Sequence, residues 1–159
     1  MSARTQRLAA FVLPAALAIA GSACQPLIQT PPQFLELQPA GRDFDYRATS
    51  ADGVVLAARV LDFEEERGGG LAFWVQAVKL QLARTGEYAS LGERKVTTRD
   101  GVHGMQLRFG RDERKTPYQY WITVLIASDK LVVIEAGGPE AKLTRYEPRI
   151  TAAIESLSL

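Results

Sequence analysis

Apolar and polar residues alternate through much of this chain with the periods of strands and helices. Over residues 44–49 they alternate singly, as in a half-buried strand, and Asp52-Gly53 then turns the chain into the apolar run 54–63. Over residues 71–84 apolar residues recur at three- and four-residue steps, which predicts a helix that Gly86 ends. The first half of the domain is therefore expected to be a hairpin followed by a helix.

The second half reads as four strands and a final helix. The strands are predicted at residues 93–99, 102–109, 118–127 and 131–136, with a charged loop at 111–116. Gly137-Gly138-Pro139 is expected to break the last strand, and a helix that Pro148 kinks or splits then runs to Leu157. The order β-β-α-β-β-β-β-α predicts an α+β fold, an antiparallel sheet of about six strands with the helices packed on it.

Strand alternation also assigns side chains to faces. Trp121 falls on the face opposite a row of its strand that consists of Tyr118, Tyr120, Ile122, Val124 and Ile126. His103, the only histidine, shares a strand face with Met105 and Leu107 and is interpreted as structural. Trp74 lies beside the apolar stripe of the first helix. Trp74 and Trp121 are the candidate ligand-binding residues, although aromatic residues at such positions usually belong to the core.

The N-terminus has the pattern of a secretion signal. Arg4 and Arg7 precede an apolar segment of 13 residues, 8–20, and small residues then lead to Cys24. Because a bilayer-spanning helix needs roughly 18 or more apolar residues, a cleaved signal is expected in place of a transmembrane anchor. The predicted division is a signal peptide at 1–23, an acylated Cys24 with a proline-rich tether at 24–41, and a single domain at 42–159. Phe34, Leu35 and Leu37 are candidates to dock the tether on the domain.

Cys24 is the only cysteine, and two interpretations of it are open. It either becomes the acylated first residue of a lipoprotein or lies by chance near the cleavage site of a plainly secreted protein. A lone thiol is a liability in a secreted protein, and acylation removes it. The segment Gly21-Ser22-Ala23-Cys24 resembles the lipobox of bacterial lipoproteins, although a leucine is usual in place of Gly21. The resemblance implies a lipid anchor and, since Gln25 follows and not Asp, an outer-membrane location facing the periplasm.

Charge and side-chain chemistry exclude several function classes. Of the 19 basic residues two lie in the signal, so 17 remain against 18 acidic ones, and this balance excludes a general nucleic-acid-binding surface. One histidine and one cysteine are too few for zinc, haem or iron–sulfur sites, and the acidic run Asp62, Glu64, Glu65, Glu66 lacks the spacing of a calcium loop. No serine-hydrolase elbow or phosphate loop occurs. No cofactor and no enzymatic activity are therefore expected.

The last block carries a family resemblance. Residues 131–136, Leu-Val-Val-Ile-Glu-Ala, are followed by a helix that ends in Ala-Ala-Ile-Glu-Ser-Leu at 152–157. With the hairpin–helix–meander–helix order, the region 44–159 resembles the PsbP-like family, which includes DcrB-type bacterial lipoproteins. The resemblance implies an α-β-α sandwich with an accessory or protein-binding role. The leading hypothesis is thus a lipid-anchored envelope protein with a protein partner. Small-ligand binding in a cleft beside Trp74 or Trp121 is the alternative, and an unrecognised enzyme is third.

Overall fold

A computed structural model describes residues 27–38, 43–63, 69–127 and 129–158. Within these ranges the chain forms an α+β fold, as predicted. The helices are α1 (Leu71–Thr85) and α2 (Glu140–Glu155). The strands are β1 (Phe34–Glu36), β2 (Tyr46–Ser50), β3 (Val55–Asp62), β4 (Ala89–Thr97), β5 (His103–Glu113), β6 (Thr116–Ala127) and β7 (Lys130–Pro139).

All seven strands join one antiparallel sheet in the order β1-β2-β3-β7-β6-β5-β4. The predicted hairpins β2–β3, β4–β5, β5–β6 and β6–β7 are all present as neighbours. Strand β7 pairs with β3, so the last strand of the chain lies beside the first hairpin, β2–β3. This long-range pairing joins the two halves of the sequence in one sheet.

The two helices cover opposite faces of the sheet. Leu143, Ile150 and Ile154 of α2 pack with Trp121 and Ile134 in one core. Val75 of α1, with partly buried neighbours on the same helix, packs against the other face in a second core that includes Leu107, Phe109, Ile122 and Val124. The predicted α-β-α sandwich is confirmed, and so is the position of Trp121 on the face opposite Ile122 and Val124. Pro148 lies inside α2 and does not split it.

Two local predictions are wrong because tertiary pairing overrides the local signal. Gly137, Gly138 and Pro139 do not break β7: Gly137 pairs with both Val55 and Tyr120. A β-carbon at Gly138 would lie 3.0 Å from Val54 Cγ2, so glycine suits the close approach of β3. The predicted loop 111–116 is mostly strand. Only Arg114 and Lys115 form the turn, and both have the positive φ that a two-residue hairpin turn requires.

Residues 27–38, part of the expected tether, pack on the domain. Ile28 is fully buried in the α2-side core, and Ser158 N–H donates to Leu27 O at 3.1 Å. Strand β1 pairs with β2, and the Phe34 ring meets the Tyr146 ring edge-on with centroids 5.3 Å apart. Residues 1–26, with Cys24 and the expected signal peptide, lie outside the described residues. None of the helices in the described ranges has the length and apolar character that crossing a bilayer requires.

Replacing Gly104 by alanine tests the tight contact between β5 and β6. A β-carbon there would lie 2.5 Å from Val124 O and 2.7 Å from Leu125 Cγ, so the strands must separate. We expect Gly104→Ala to lower the free energy of unfolding by about 1–3 kcal/mol, measured by urea denaturation. Gly137→Ala is the matched control. Its β-carbon would make ordinary contacts of 3.6 and 3.7 Å with Tyr120 and Tyr118, and we expect a change within about 1 kcal/mol. Equal losses for the two variants would contradict this packing.

Candidate functional site

A surface groove of about 490 Å³ lies at the end of the sheet that carries the β5–β6 turn. Its lining includes the residues just after α1, the start of β4, the β5–β6 hairpin and the first residue of α2. The side chains that define it are Tyr88, Leu91, Arg111, Asp112, Tyr118 and Gln119, and we call it the Arg111 groove. Leu91 adds a large apolar residue that is 53% exposed.

Arg111 is held between two tyrosine rings. Its guanidinium carbon lies 5.2 Å from the Tyr88 ring centroid and 5.6 Å from that of Tyr118, within cation–π range. The same guanidinium contacts Glu113 at 2.9 Å and Glu87 at 3.5 Å. These contacts hold the Arg111 guanidinium at the wall of the groove, where Glu87 and Glu113 balance its charge.

The strand register explains this arrangement. Arg111 pairs directly with Tyr118 across β5 and β6, so both side chains lie on the same face of the sheet. Strand β4 begins at Ala89, opposite Gly110, and this leaves Tyr88 at the sheet edge beside Arg111. Since Gly110 has no side chain, Leu91 can lie close to β5: a β-carbon at Gly110 would be 3.1 Å from Leu91 Cδ1.

A partly buried hydrogen bond lies next to the groove, behind Tyr88. Tyr120 Oη donates to Glu135 Oε2 at 2.6 Å, and the Tyr120 and Tyr88 ring centroids are 5.8 Å apart. The sequence singles out Glu135 as an acid in an apolar strand, for which an Arg or Lys partner or simple exposure is the economical explanation. The partner is a tyrosine instead. Burial, and then the bond to Glu135, raise the pKa of Tyr120, and burial raises the pKa of Tyr118.

Trp121 does not line the groove and is linked to it through Gln119. Its side chain is 1% exposed, and its Nε1–H donates to Gln119 Oε1 at 2.9 Å. Gln119 lines the groove and donates in turn to Glu140 Oε1. The Arg108 guanidinium lies over the Trp121 ring, with its carbon 4.3 Å from the ring centre. The same guanidinium pairs with Glu147 of α2, so this side of the ring is covered. No open cleft therefore lies beside the Trp121 ring among the described residues.

Trp74 lies on the other side of the sheet from Trp121. Its ring makes edge contacts with Phe63 and Phe73, with centroids 6.4 and 5.6 Å apart. Its Nε1–H is buried without a hydrogen-bond partner among the described residues. The structure thus does not bring the two tryptophans together, and neither side chain lines the Arg111 groove. Their assignment as ligand-binding residues stays a prediction.

The remaining chemical candidates are separate from the groove. His103 is on the predicted strand face but exposed, with Nδ1 3.1 Å from Thr97 Oγ1. Asp62 pairs with Lys130 at 2.7 Å, while Glu64, Glu65 and Glu66 lie outside the described residues. In the described ranges, no three His, Cys, Asp or Glu side chains converge as metal ligands. The arrangement at the Arg111 groove suits binding, since it presents aromatic, apolar and charged groups together.

The groove is not predicted from the sequence because the apolar alternation of β5 ends at Phe109, which places Arg111 in a predicted loop. Residues 110–115 are a glycine followed by charged residues, so no local pattern marks the continuation of the strand. A strand that ends beside a solvent-exposed groove carries polar residues there. The apolar alternation that would predict a strand is then missing from the sequence. The proximity of Tyr88 to Arg111 depends on the β4 register, which no local pattern specifies.

Comparisons with known proteins show the fold. No family model matches the sequence, and no curated protein does. The structure is similar to cyanobacterial PsbP (CyanoP) from Synechocystis, with a TM-score of 0.56 and 12% identity over 83% of this chain and 85% of that one. It is similar to a Pseudomonas aeruginosa protein of unknown function, PA94, with a TM-score of 0.51 and 13% identity over 82% and 85% of the two chains.

A third similar structure is the Saccharomyces cerevisiae Ran-binding protein Mog1p, with a TM-score of 0.52 and 14% identity over 80% of this chain and 82% of that one. At these identities the likeness shows a shared fold only. The PsbP-like fold suggested by the sequence is confirmed.

The raised pKa values of Tyr118 and Tyr120 predict a loss of stability in alkali. The folded state holds these protons more tightly than the unfolded state, in which tyrosine has a pKa of about 10. Their contribution is complete below that pH and is lost as the pH rises above it. We expect urea midpoints to fall from pH 9 to 11, roughly, and Tyr120→Phe to flatten that fall. Parallel pH profiles for the parent and Tyr120→Phe would contradict the prediction.

Proposed function

We propose that this chain is a lipid-anchored, non-enzymatic protein of the bacterial cell envelope whose domain binds another protein through the Arg111 groove. The proposal joins two independent lines of support. One is the signal pattern that ends at Cys24, and the other is the groove at the end of the sheet.

The observation that carries the binding role is the exposed Leu91 beside the Tyr88–Arg111–Tyr118 stack. Tyrosine and arginine are enriched in protein interfaces, where they supply much of the binding energy. Arg111 is already ordered by its two rings and two carboxylates, so binding would cost little side-chain entropy. Charges of both signs surround the groove, with Asp112 and Glu140 in its lining and Arg114 next to it. Such mixed charges favour orientation of a partner over general attraction.

The shared fold is consistent with this role. Mog1p, which has the same fold, is a Ran-binding protein, so this fold supports protein binding in at least that case. The partner of the present chain is a separate question. We propose a protein of the envelope, because the signal pattern directs the chain there.

Small-ligand binding is the second candidate. The groove volume of about 490 Å³ lies within the roughly 300–1,000 Å³ typical of small-molecule sites. Intrinsic fluorescence distinguishes small-ligand binding from protein binding, because Trp121 is hydrogen-bonded to Gln119, which lines the groove. In a Trp74→Phe variant Trp121 is the only tryptophan, since the chain has two. A saturable fluorescence change on titration with envelope sugars or peptides would favour a small ligand.

Replacing Cys24 tests the anchor. We expect Cys24→Ser to abolish the lipid mass in intact-mass spectrometry and to move the protein from the membrane pellet to the soluble fraction after a salt wash. Acyl chains contribute about 0.8 kcal/mol per buried methylene, so their loss removes the attachment. The urea midpoint should not change. An unmodified parent protein, or a variant that stays in the washed membranes, would refute the anchor.

Replacing Leu91 tests the groove, and the chain offers a matched control. Leu91→Asp places a charge at the groove, whereas Leu80→Asp changes a leucine that is 58% exposed on α1, away from it. We expect Leu91→Asp to weaken the partner captured by in-cell crosslinking about tenfold or more, as loss of a central apolar contact does. Leu80→Asp should retain it. Equal crosslinking yields for both variants and the parent would exclude the groove as the binding site.

A further inference from the structure

The packed segment 27–38 changes the geometry of the proposed anchor. Only Gln25 and Pro26 separate Cys24 from Leu27. The carbonyl oxygen of Leu27 accepts a hydrogen bond from Ser158 N–H. The next residue, Ile28, is fully buried in the domain core. Since a chain spans at most about 3.6 Å per residue, Cys24 lies within about 11 Å of this attachment point. A tether of 24–41 would have allowed several times that distance.

The attachment point belongs to one end of the sandwich. Gln29 N–H donates to Ser156 Oγ at 2.9 Å, and Arg99 N–H donates to Glu155 O at 2.9 Å. The first residues of the described chain, the end of α2 and the β4–β5 turn therefore meet there. We call this surface, formed by Leu27, Gln29, Arg99, Asp100, Glu155 and Ser156, the Ser156 end.

The Arg111 groove lies at the opposite end. Strand β5 starts at His103, just after the β4–β5 turn, and ends at Glu113, two residues beyond Arg111. The eight residue steps from His103 to Arg111, at about 3.3 Å each, separate the β4–β5 turn from the groove by roughly 26 Å. The same separation follows from β6, which runs back along β5 in full register.

We infer that the Ser156 end faces the lipid bilayer and that the Arg111 groove points away from it. This inference rests on the proposed lipid anchor and adds the orientation of the domain to it. The three residue steps from Cys24 to Leu27 span at most about 11 Å, which is too little for the domain to turn its other end to the membrane. The groove is then presented roughly 26 Å above the lipid surface, where a partner can reach it.

The covalent lipid, and not surface charge, holds this orientation. The Ser156 end exposes Arg99 against Asp100 and Glu155, so it has no basic excess that would attract anionic lipids. The orientation should therefore be insensitive to salt, because screening acts on charge attraction and not on a covalent tether.

Site-specific quenching tests the orientation in the lipidated full-length protein. Asp100→Cys places a thiol in the β4–β5 turn, and Thr116→Cys places one beside the β5–β6 turn; both positions are exposed. With Cys24 acylated, the introduced cysteine is the only free thiol and takes a maleimide fluorophore. Each protein is reconstituted from detergent into phosphatidylethanolamine–phosphatidylglycerol vesicles that contain a lipid with a nitroxide headgroup.

We expect the headgroup nitroxide to quench the label at residue 100 at least severalfold more than the label at residue 116, with or without added salt. Insertion of a Gly/Ser spacer of about 20 residues between Pro26 and Leu27 should remove this difference while the protein stays bound to the vesicles. Equal quenching of both labels in the membrane-bound parent, or stronger quenching at residue 116, would overturn the orientation but leave the anchor intact. Absence of lipid mass, or failure to bind vesicles, would refute the anchor and the orientation with it.

Discussion

The structure depends on the burial of its sheet on both faces. Residues 121–125 of β6 are all buried, and successive side chains of a strand point to opposite faces. A sheet with this property cannot leave either face in water, and one helix can cover only one of them. Helices α1 and α2 therefore pack on opposite faces, α1 over Ile122 and Val124, and α2 over Trp121 and Leu125. The pairing of β7 with β3 is equally necessary, because it brings the first hairpin under α2.

Polar side chains on the α2 side are accommodated within this constraint by a connected network. Buried Gln106 donates to Thr123 Oγ1 at 3.3 Å and accepts from Arg108 Nε at 3.1 Å. Arg108 lies over Trp121 and pairs with Glu147, which also binds Arg94 at 2.9 Å. These hydrogen bonds and ion pairs link the polar side chains to one another. A sheet face that holds a glutamine, a threonine and an arginine can therefore still be covered by a helix. The same network covers the Trp121 ring, which is buried in the core on the α2 side.

The proposed functions lie at the two ends of the sandwich, where helix cover stops. At one end, β4 starts at Ala89, opposite Gly110, so β5 has an open edge beyond Gly110. This edge, the two tyrosines and Arg111 form a groove with an exposed leucine. At the other end the chain enters the domain beside the end of α2. The helices occupy the faces, so the ends are left for the proposed attachment and binding. In that proposal, attachment at one end and partner binding at the other give the molecule a direction.

The sequence by itself determined the element types, the hairpin connections, the α1 boundaries near Leu71 and Gly86, and the opposite faces of Trp121 and Ile122. All of these depend on periods of two or 3.6 residues and on turn chemistry, which are local properties. Only the tertiary structure decided that Gly137 continues a strand, that residues 34–36 add a seventh strand, and that Tyr88 meets Arg111. These features arise from strand pairing across long stretches of sequence. In each case the hydrogen bonds and contacts supplied by a distant partner outweigh the local preference for a turn, a tether or a loop.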